Sequence, residues 1–599
     1  MWSRGRAEIV TGLVAGVLGL AYLLLPRMGT DLAAQVARAG FFADHGYLPI
    51  DLRWYAGVDQ LGYSLVSQPV MAVLGVRVTG VIALVVSSVT LAALFRRTGA
   101  PRPLLGALFG TVCIAGNLVS GRVTYGLGVL FALVALLALT YLKLRWTALI
   151  GALLASATSP VAGLFLGLAG VALLASRRVV DGLLIAVPAA VPLAVSGVLF
   201  GDGGWMNISH TDARRAIVTS LLVAVLVPVR PIRIAGVLSA GGVLLAALVH
   251  TPVGLNATRL AVMFGLPVLA AYAAAPSSRM VGAGYAAVTR ATTARRRPAP
   301  PREPSSPSPS ASAPGSPSPS TSASALPSRS ASASPSVPAL SVPASAGSLS
   351  SRRARGGRHS RGTADSRLRW WRPVALVVLL LVVCWWQPPV VVSDLRDIGN
   401  PTADPAYFKA LQARLAQERL TGRVEIPPTR DYWEAAYLGD VPLARGWLRQ
   451  ADIDRNPLFF TTVPGASGTG VPLTPDSYRA WLSDQAVQFV AVPNTELSWA
   501  GRDEATLVAA GMPYLTPIWS DAHWHLYAVS NPVPIVAPPA TLVAQTAATL
   551  TFDAPRAGSV PIRVRHYRWL KATGGATVAA SGDWTLVRVT TPGRYTLTS

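Results

Sequence analysis

The sequence predicts a polytopic α-helical membrane protein of about eleven spans, followed by an extracytoplasmic α/β domain and a small C-terminal β-sandwich. Three observations predict it. Half of the 599 residues are hydrophobic (51%), only 13% are charged, and the mean hydropathy is +0.43. The apolar residues come in blocks long enough to cross a bilayer. From Val390 onward charge, Trp and Tyr return, and apolar runs shorten to strand length. Such a chain is neither a cytosolic enzyme, nor a nucleic-acid-binding module, nor a small secreted scaffold.

The spans follow in order. The first block, Ile9 to Pro26, follows Arg4 and Arg6 and has no small-residue cleavage site after it, so it reads as a retained helix. Further spans are expected at 78–95, 104–120, 123–142, 146–158, 160–176, 179–199, 216–229, 234–250, 259–275 and 373–389. The stretches 146–158 and 216–229 are short for a bilayer core of about 30 Å. With the amino terminus in the cytoplasm, every inner loop is basic. Arg96, Arg97, Arg102, Lys143, Arg145, Arg177, Arg178, Arg230 and Arg233 all fall there. An odd number of spans then puts the carboxyl-terminal region outside.

The net charge of +24 has a local source. Between Arg279 and Arg372 fifteen arginines face only Glu303 and Asp365, which is more than half of the excess. Residues 298–350 within it are Ser, Pro and Ala in short repeats. The segment 279–372 therefore reads as a disordered, basic cytoplasmic linker facing an anionic leaflet, not a nucleic-acid site. Cys113 and Cys384 both lie in apolar blocks and read as small core residues.

The first outer loop, 27–75, is far longer than a connection needs. It carries Asp31 five residues beyond Pro26, then Asp44-His45, Asp51, Trp54-Tyr55, Asp59-Gln60 and Tyr63. An ionisable group at the bilayer rim is costly and tends to be functional. Asp31 also precedes the amphipathic run Leu32 to Phe42, so helix capping competes with chemistry, and the two roles are compatible. Asp51 and Asp59 read either as cap residues or as ligands for an acceptor.

This layout, one span, an Asp just past it and a long loop of amphipathic juxtamembrane helices, resembles the GT-C class of integral membrane glycosyltransferases. The stretch Asp31 to Gly75 carries the resemblance, which extends to actinobacterial polytopic membrane proteins with an outer C-terminal domain. The resemblance implies a sugar transferred from a polyprenyl-phosphate donor to a cell-envelope glycan or glycolipid, with Asp31 as the base. It leaves a divalent metal open, because some members add a second acid in the next outer loop. Here that loop, Gly116 to Tyr125, has no acid.

A donor phosphate needs a cation. Arg259 follows the outer loop Thr251 to Thr258, including Asn256, and opens a span, where a guanidinium fork and a helix N-terminus both favour an anion. Snorkelling to the interface is the competing role, and Arg122 is the alternative cation. Asp51, Trp54, Tyr55, Gln60 and Tyr63 are the other expected substrate contacts. The loop Gly201 to Arg215, with Asp202, reads as a gate or an interfacial turn.

Beyond 390, Arg423 to Ile426, Phe489 to Val492 and His525 to Val529 read as strands, and Tyr407 to Arg419 and Ala505 to Gly511 as helices. These place an α/β domain at 390–530. Alternating segments in 540–599 place the β-sandwich. Glu425, Arg430, Trp433, Glu434, Arg445 and Trp447 form a dense aromatic and charged patch of the kind a sugar acceptor needs. A packed core with buried ion pairs explains the same residues. His523 and His525 lack a third ligand for zinc. No P-loop, dinucleotide fingerprint, nucleophile elbow or HExxH is present. A secondary transporter or lipid flippase, and a non-catalytic envelope scaffold, are the competing functions; the central parts of the spans carry almost no charge and show no inverted repeat.

Overall fold

The computed structural model describes residues 5–201, 204–274, 362–463, 465–466 and 470–599. The basic linker lies almost wholly outside them, as does Asp202. Each apolar stretch of the sequence falls on a helix. These are α1 (Arg6–Leu24), α4 (Val76–Arg97), α5 (Pro103–Val119), α6 (Val123–Ala138), α7 (Ala148–Thr158), α8 (Pro160–Ala175), α9 (Val179–Leu199), α10 (His210–Leu226), α11 (Arg230–Leu248), α12 (Arg259–Tyr272) and α13 (Gly362–Trp386). Among the described residues five helices are long and apolar enough to cross a membrane: α1, α4, α9, α11 and the Gly254–Tyr272 run that ends in α12. Helix α7, with 11 residues, rises only about 16 Å. Ser159 and Pro160 break the chain after it, and α8 starts under a Ser159 side-chain cap.

Small residues let these helices approach closely, as packing within lipid requires. A Cβ on Gly128 would stand 2.8 Å from Ala162 and Ser159, and one on Gly163 2.4 Å from Ser156. Charge is confined to the two ends of the bundle. At one end Arg96 pairs with Glu8 at 2.5 Å, Arg97 stacks on Tyr141 and Arg102 donates to Ala270 O at 2.9 Å. At the other end α1, α5, α6 and α12 bring Asp31, Arg122 and Arg259 together.

The first outer loop is built, not slack. It contains α2 (Leu32–His45), a hairpin of β1 (Ile50–Asp51) and β2 (Val58–Asp59), and α3 (Ser67–Leu74). It is the seat for everything downstream. Arg53 O accepts from Leu443 N at 2.7 Å, Ala56 O from Arg565 N at 2.8 Å, and Ala547 O from Leu52 N at 2.8 Å.

After α13 the chain crosses the Asp31 end of the bundle as a strap containing α14 (Val392–Arg396). A four-stranded mixed sheet follows, ordered β3-β4-β6-β5, from β3 (Arg423–Glu425), β4 (Val487–Pro493), β5 (Leu515–Ser520) and β6 (Trp524–Val529). Strands β3 and β4 are parallel. The three strands read from the sequence are all present; β5 was not read. Pro517 interrupts its alternation, and the strand tolerates it because β5 is an edge strand with an irregular register there. The helix expected at Ala505 begins earlier, at Trp499, because its first turn carries Gly and charge rather than an apolar stripe. The tail carries β7 (Thr541–Gln545), β8 (Leu550–Ala554), β9 (Gly558–Arg565), β10 (Lys571–Ala572), β11 (Thr577–Ser581), β12 (Trp584–Val589) and β13 (Gly593–Thr598). They form two sheets, β10-β13-β8-β7 and β11-β12-β9, over a core of Leu550, Phe552, Ile562, Val587 and Leu597.

The domain after α13 buries acids. Burial pushes Glu434 and Glu504 up to about 7 and Asp431 to about 6; burial and then the nearby Asp431 raise Asp397 to about 7. These groups keep their protons in the folded chain at pH values where the unfolded chain has lost them. The folded state thus binds more protons between about pH 4 and about pH 7, and stability falls as pH rises through that window. The thermal midpoint of the detergent-solubilised chain is expected to drop between pH 5 and pH 8. A midpoint that rises over this range contradicts the assignment.

Candidate active site

Asp31 stands at the entrance to α2 but does not cap it; its side chain makes no capping hydrogen bond. The carboxylate instead faces two guanidiniums. Arg122 Nε is 3.1 Å and Arg259 Nη2 is 3.5 Å from the same oxygen, Oδ2. All three side chains are 18–26% exposed, so the cluster is screened from bulk water yet reachable. Each residue comes from a different helix junction: Asp31 from α1 to α2, Arg122 from α5 to α6, and Arg259 from the 3₁₀ turn Gly254–Thr258 into α12. Two cations share one carboxylate at the mouth of the bundle.

Aromatic rings frame it. Arg259 lies over the Tyr125 ring at 5.2 Å. Tyr63 meets Trp447 edge-on at 6.0 Å, accepts Gln35 Nε2 at 3.0 Å and carries Arg38 over its ring at 4.2 Å. Burial and the nearby Asp31 carboxylate raise the Tyr63 hydroxyl above its usual range.

The backbone that carries Asp31 is held on two sides. Asp31 N donates to Ser120 O at 3.1 Å, and Trp447 Nε1 donates to Thr30 O at 3.2 Å. In the strap, Asp397 pairs with Arg430 Nε at 2.9 Å. Gly29 has φ +103°, and a Cβ there would meet Val119 O at 2.3 Å, so only glycine fits this close crossing. Beside it, Pro26, Arg27, Gly399, Asn400, Ala403, Asp404 and Pro405 line a shallow cleft of about 320 Å³.

No family model matches the chain, and no curated protein matches it. Two solved structures share part of its course. The arabinofuranosyltransferase AftD from Mycobacteria is 15% identical with a TM-score of 0.40; the match covers 88% of this chain and 40% of AftD. This chain thus spans well under half the length of that enzyme. The ArnT protein from Cupriavidus metallidurans in its apo state is 13% identical with a TM-score of 0.37, over 87% of this chain and 97% of ArnT. Both likenesses are distant.

Asp31, Arg259, Tyr63 and Trp447 are therefore brought together, and Asn256 lies one turn before Arg259, largely buried. The remaining expected contacts are placed in the frame. Asp51 is fully buried in a bidentate pair with Arg53, at 2.7 Å, and accepts Gln60 Nε2 at 3.0 Å. Gln60 also accepts Arg38 Nη1 at 2.9 Å. Trp54 is sealed under Gly446, whose carbonyl takes the Tyr55 hydroxyl.

The outer patch is corrected in the same sense. Arg445 is buried among Glu504 at 2.8 Å, Asp452 at 3.2 Å and Glu425 at 3.5 Å, with all four side chains at most 1% exposed. Glu434 accepts the Thr429 hydroxyl at 2.5 Å, and Trp433 stacks on Tyr437. Glu425, Trp433, Glu434 and Arg445 are at most 3% exposed and line no open cleft, while Arg430 and Trp447 stay partly exposed. Among the described residues, no three His, Cys, Asp or Glu side chains group as a metal site.

Sequence reading missed Asp394 and Asp397. They follow the last apolar helix by a few residues and look like ordinary solvated charges. The one available signal was their spacing of three in the strap, Asp394 on α14 and Asp397 just past its end. Replacing Gly29 with Ala is expected to lower the thermal midpoint and to cost about 1–3 kcal/mol. A Gly29→Ala chain as stable as the parent would contradict the close crossing.

Proposed function

We propose that this chain is a membrane glycosyltransferase. It moves a sugar from a polyprenyl-phosphate donor to a cell-envelope glycan or glycolipid on the outer side of the membrane. The observation that carries the reading is the half-screened Asp31 carboxylate shared by Arg122 and Arg259 at the bundle mouth. About eleven spans, with the basic bundle end in the cytoplasm and the domains after α13 outside, belong to the same proposal.

The residues fit the chemistry. Arg122 and Arg259 offer planar donor forks to the donor's phosphodiester. As the phosphate draws them, Asp31 loses its cationic partners and becomes a better base, since a nearby cation favours the ionised carboxylate. The acceptor oxygen attacks the anomeric carbon, its proton passes to Asp31, and the bond to phosphate oxygen breaks with the electron pair leaving on the lipid phosphate. Tyr63 and Trp447 supply an aromatic wall for the sugar. Asp51, Gln60, Trp54 and Tyr55 hold the loop that presents Asp31, and Glu425, Trp433, Glu434 and Arg445 hold the outer domain above it; Arg430 anchors the strap.

The test is transfer by the purified chain in nanodiscs, with a panel of polyprenyl-phosphoryl sugars and envelope-glycan acceptors. Asp31→Asn is expected to lower turnover by about 10²–10⁴-fold while the chain stays folded and inserted. Arg259→Gln is expected to act mainly on the donor KM. Asp51→Asn should reduce the folded yield but not turnover per folded molecule. Undiminished transfer by Asp31→Asn would remove the mechanism.

A further inference from the structure

Resting on that reading, we infer that Asp394 is a positioning residue that opposes the donor phosphate and expels the charged lipid product. Asp394 lies on α14, 3% exposed, and its carboxylate accepts the Ser120 hydroxyl. Ser120 is the same residue whose carbonyl fixes Asp31 N, so one residue joins the two acids. Burial raises the Asp394 carboxyl above its ordinary range, while the Ser120 hydroxyl and the nearby Arg122 guanidinium oppose that rise. Before substrate binds, the mouth therefore holds two arginines and two carboxylates. Arg122 and Arg259 both lie on Asp31, Arg259 also over the Tyr125 ring, and the Tyr63 hydroxyl faces Asp31. Arg430, with Asp397, closes the outer edge.

The charge balance changes during transfer. The donor phosphodiester carries one negative charge. When the new C–O bond forms and the C–O bond to phosphate breaks, the acceptor's proton moves to Asp31 and the lipid phosphate gains a second charge. Asp31 is then neutral and no longer competes for the guanidiniums. Asp394 is the carboxylate that remains, buried beside Arg122. It keeps part of that cation's field and repels the dianion, so the product leaves. The strap buries this acid while its neighbours Val391, Val392, Leu395 and Ile398 stay 41–58% exposed.

The test measures equilibrium binding to the full-length chain in nanodiscs at fixed pH. The probes are farnesyl methyl phosphate, a monoanionic diester, and farnesyl phosphate, which is largely dianionic. Asp394→Asn is expected to tighten both, the dianion by about ten-fold and the diester by about three-fold, since removing a charge at a poorly hydrated site strengthens anion binding. Asp394→Glu should restore parental affinities. Ser120→Ala, which removes the hydrogen bond that favours the ionised Asp394 carboxylate, should shift both affinities in the same direction as Asp394→Asn and by less. Asp394→Ser gives the same reading should Asn unfold the chain. Parental binding that Arg259→Gln weakens, together with Asp394→Asn binding that is weaker or unchanged, overturns this inference alone. A parental chain that binds neither probe saturably removes the donor site and this inference with it.

Discussion

The structure turns on a single shared oxygen. Asp31 Oδ2 sits between two guanidiniums from separate helix junctions, and no other carboxylate among the described residues pairs with both. Each contact gives attraction on the order of 4–5 kcal/mol at an effective dielectric near 20, and the two cations repel one another on a similar scale. Without the carboxylate, α6 and α12 would present like charges to each other at the rim of a low-dielectric bundle. The pairing thus holds the helix ends together and keeps the site in tension, because any anion that suits two arginines competes with Asp31 for both.

The outer domains make that tension usable. Trp447 and Ser120 grip two successive residues, Thr30 and Asp31, so the base cannot drift when its partners turn away. The grip is itself anchored: the buried Arg445 cluster fixes the elements from which Trp447 projects. The charged patch in the outer domain is an internal brace rather than a binding face. Burying one arginine with three acids costs desolvation energy, and shared protons on Glu425 and Glu504 lower that cost.

Much of this was legible in the sequence, and for identifiable reasons. Apolar blocks predict helices well because lipid demands internal backbone pairing, so each block did become a helix. Asp31 and Arg259 were legible because charges bordering such blocks are few. Their meeting was not, since 228 residues separate them. Asp51, Trp54, Glu425 and Arg445 misled because a buried ion pair and a sugar site draw on the same residue types; only burial separates them. Strand β5 hid behind Pro517. Asp394 hid because its partner Ser120 is 274 residues away and carries no charge.

The most direct measurement is a cryo-EM structure of the chain in nanodiscs with farnesyl phosphate bound. The account predicts phosphate density within hydrogen-bond reach of both Arg122 and Arg259, with Arg259 drawn off Asp31. A phosphate lodged elsewhere, with Asp31 still bridging both arginines, would contradict it.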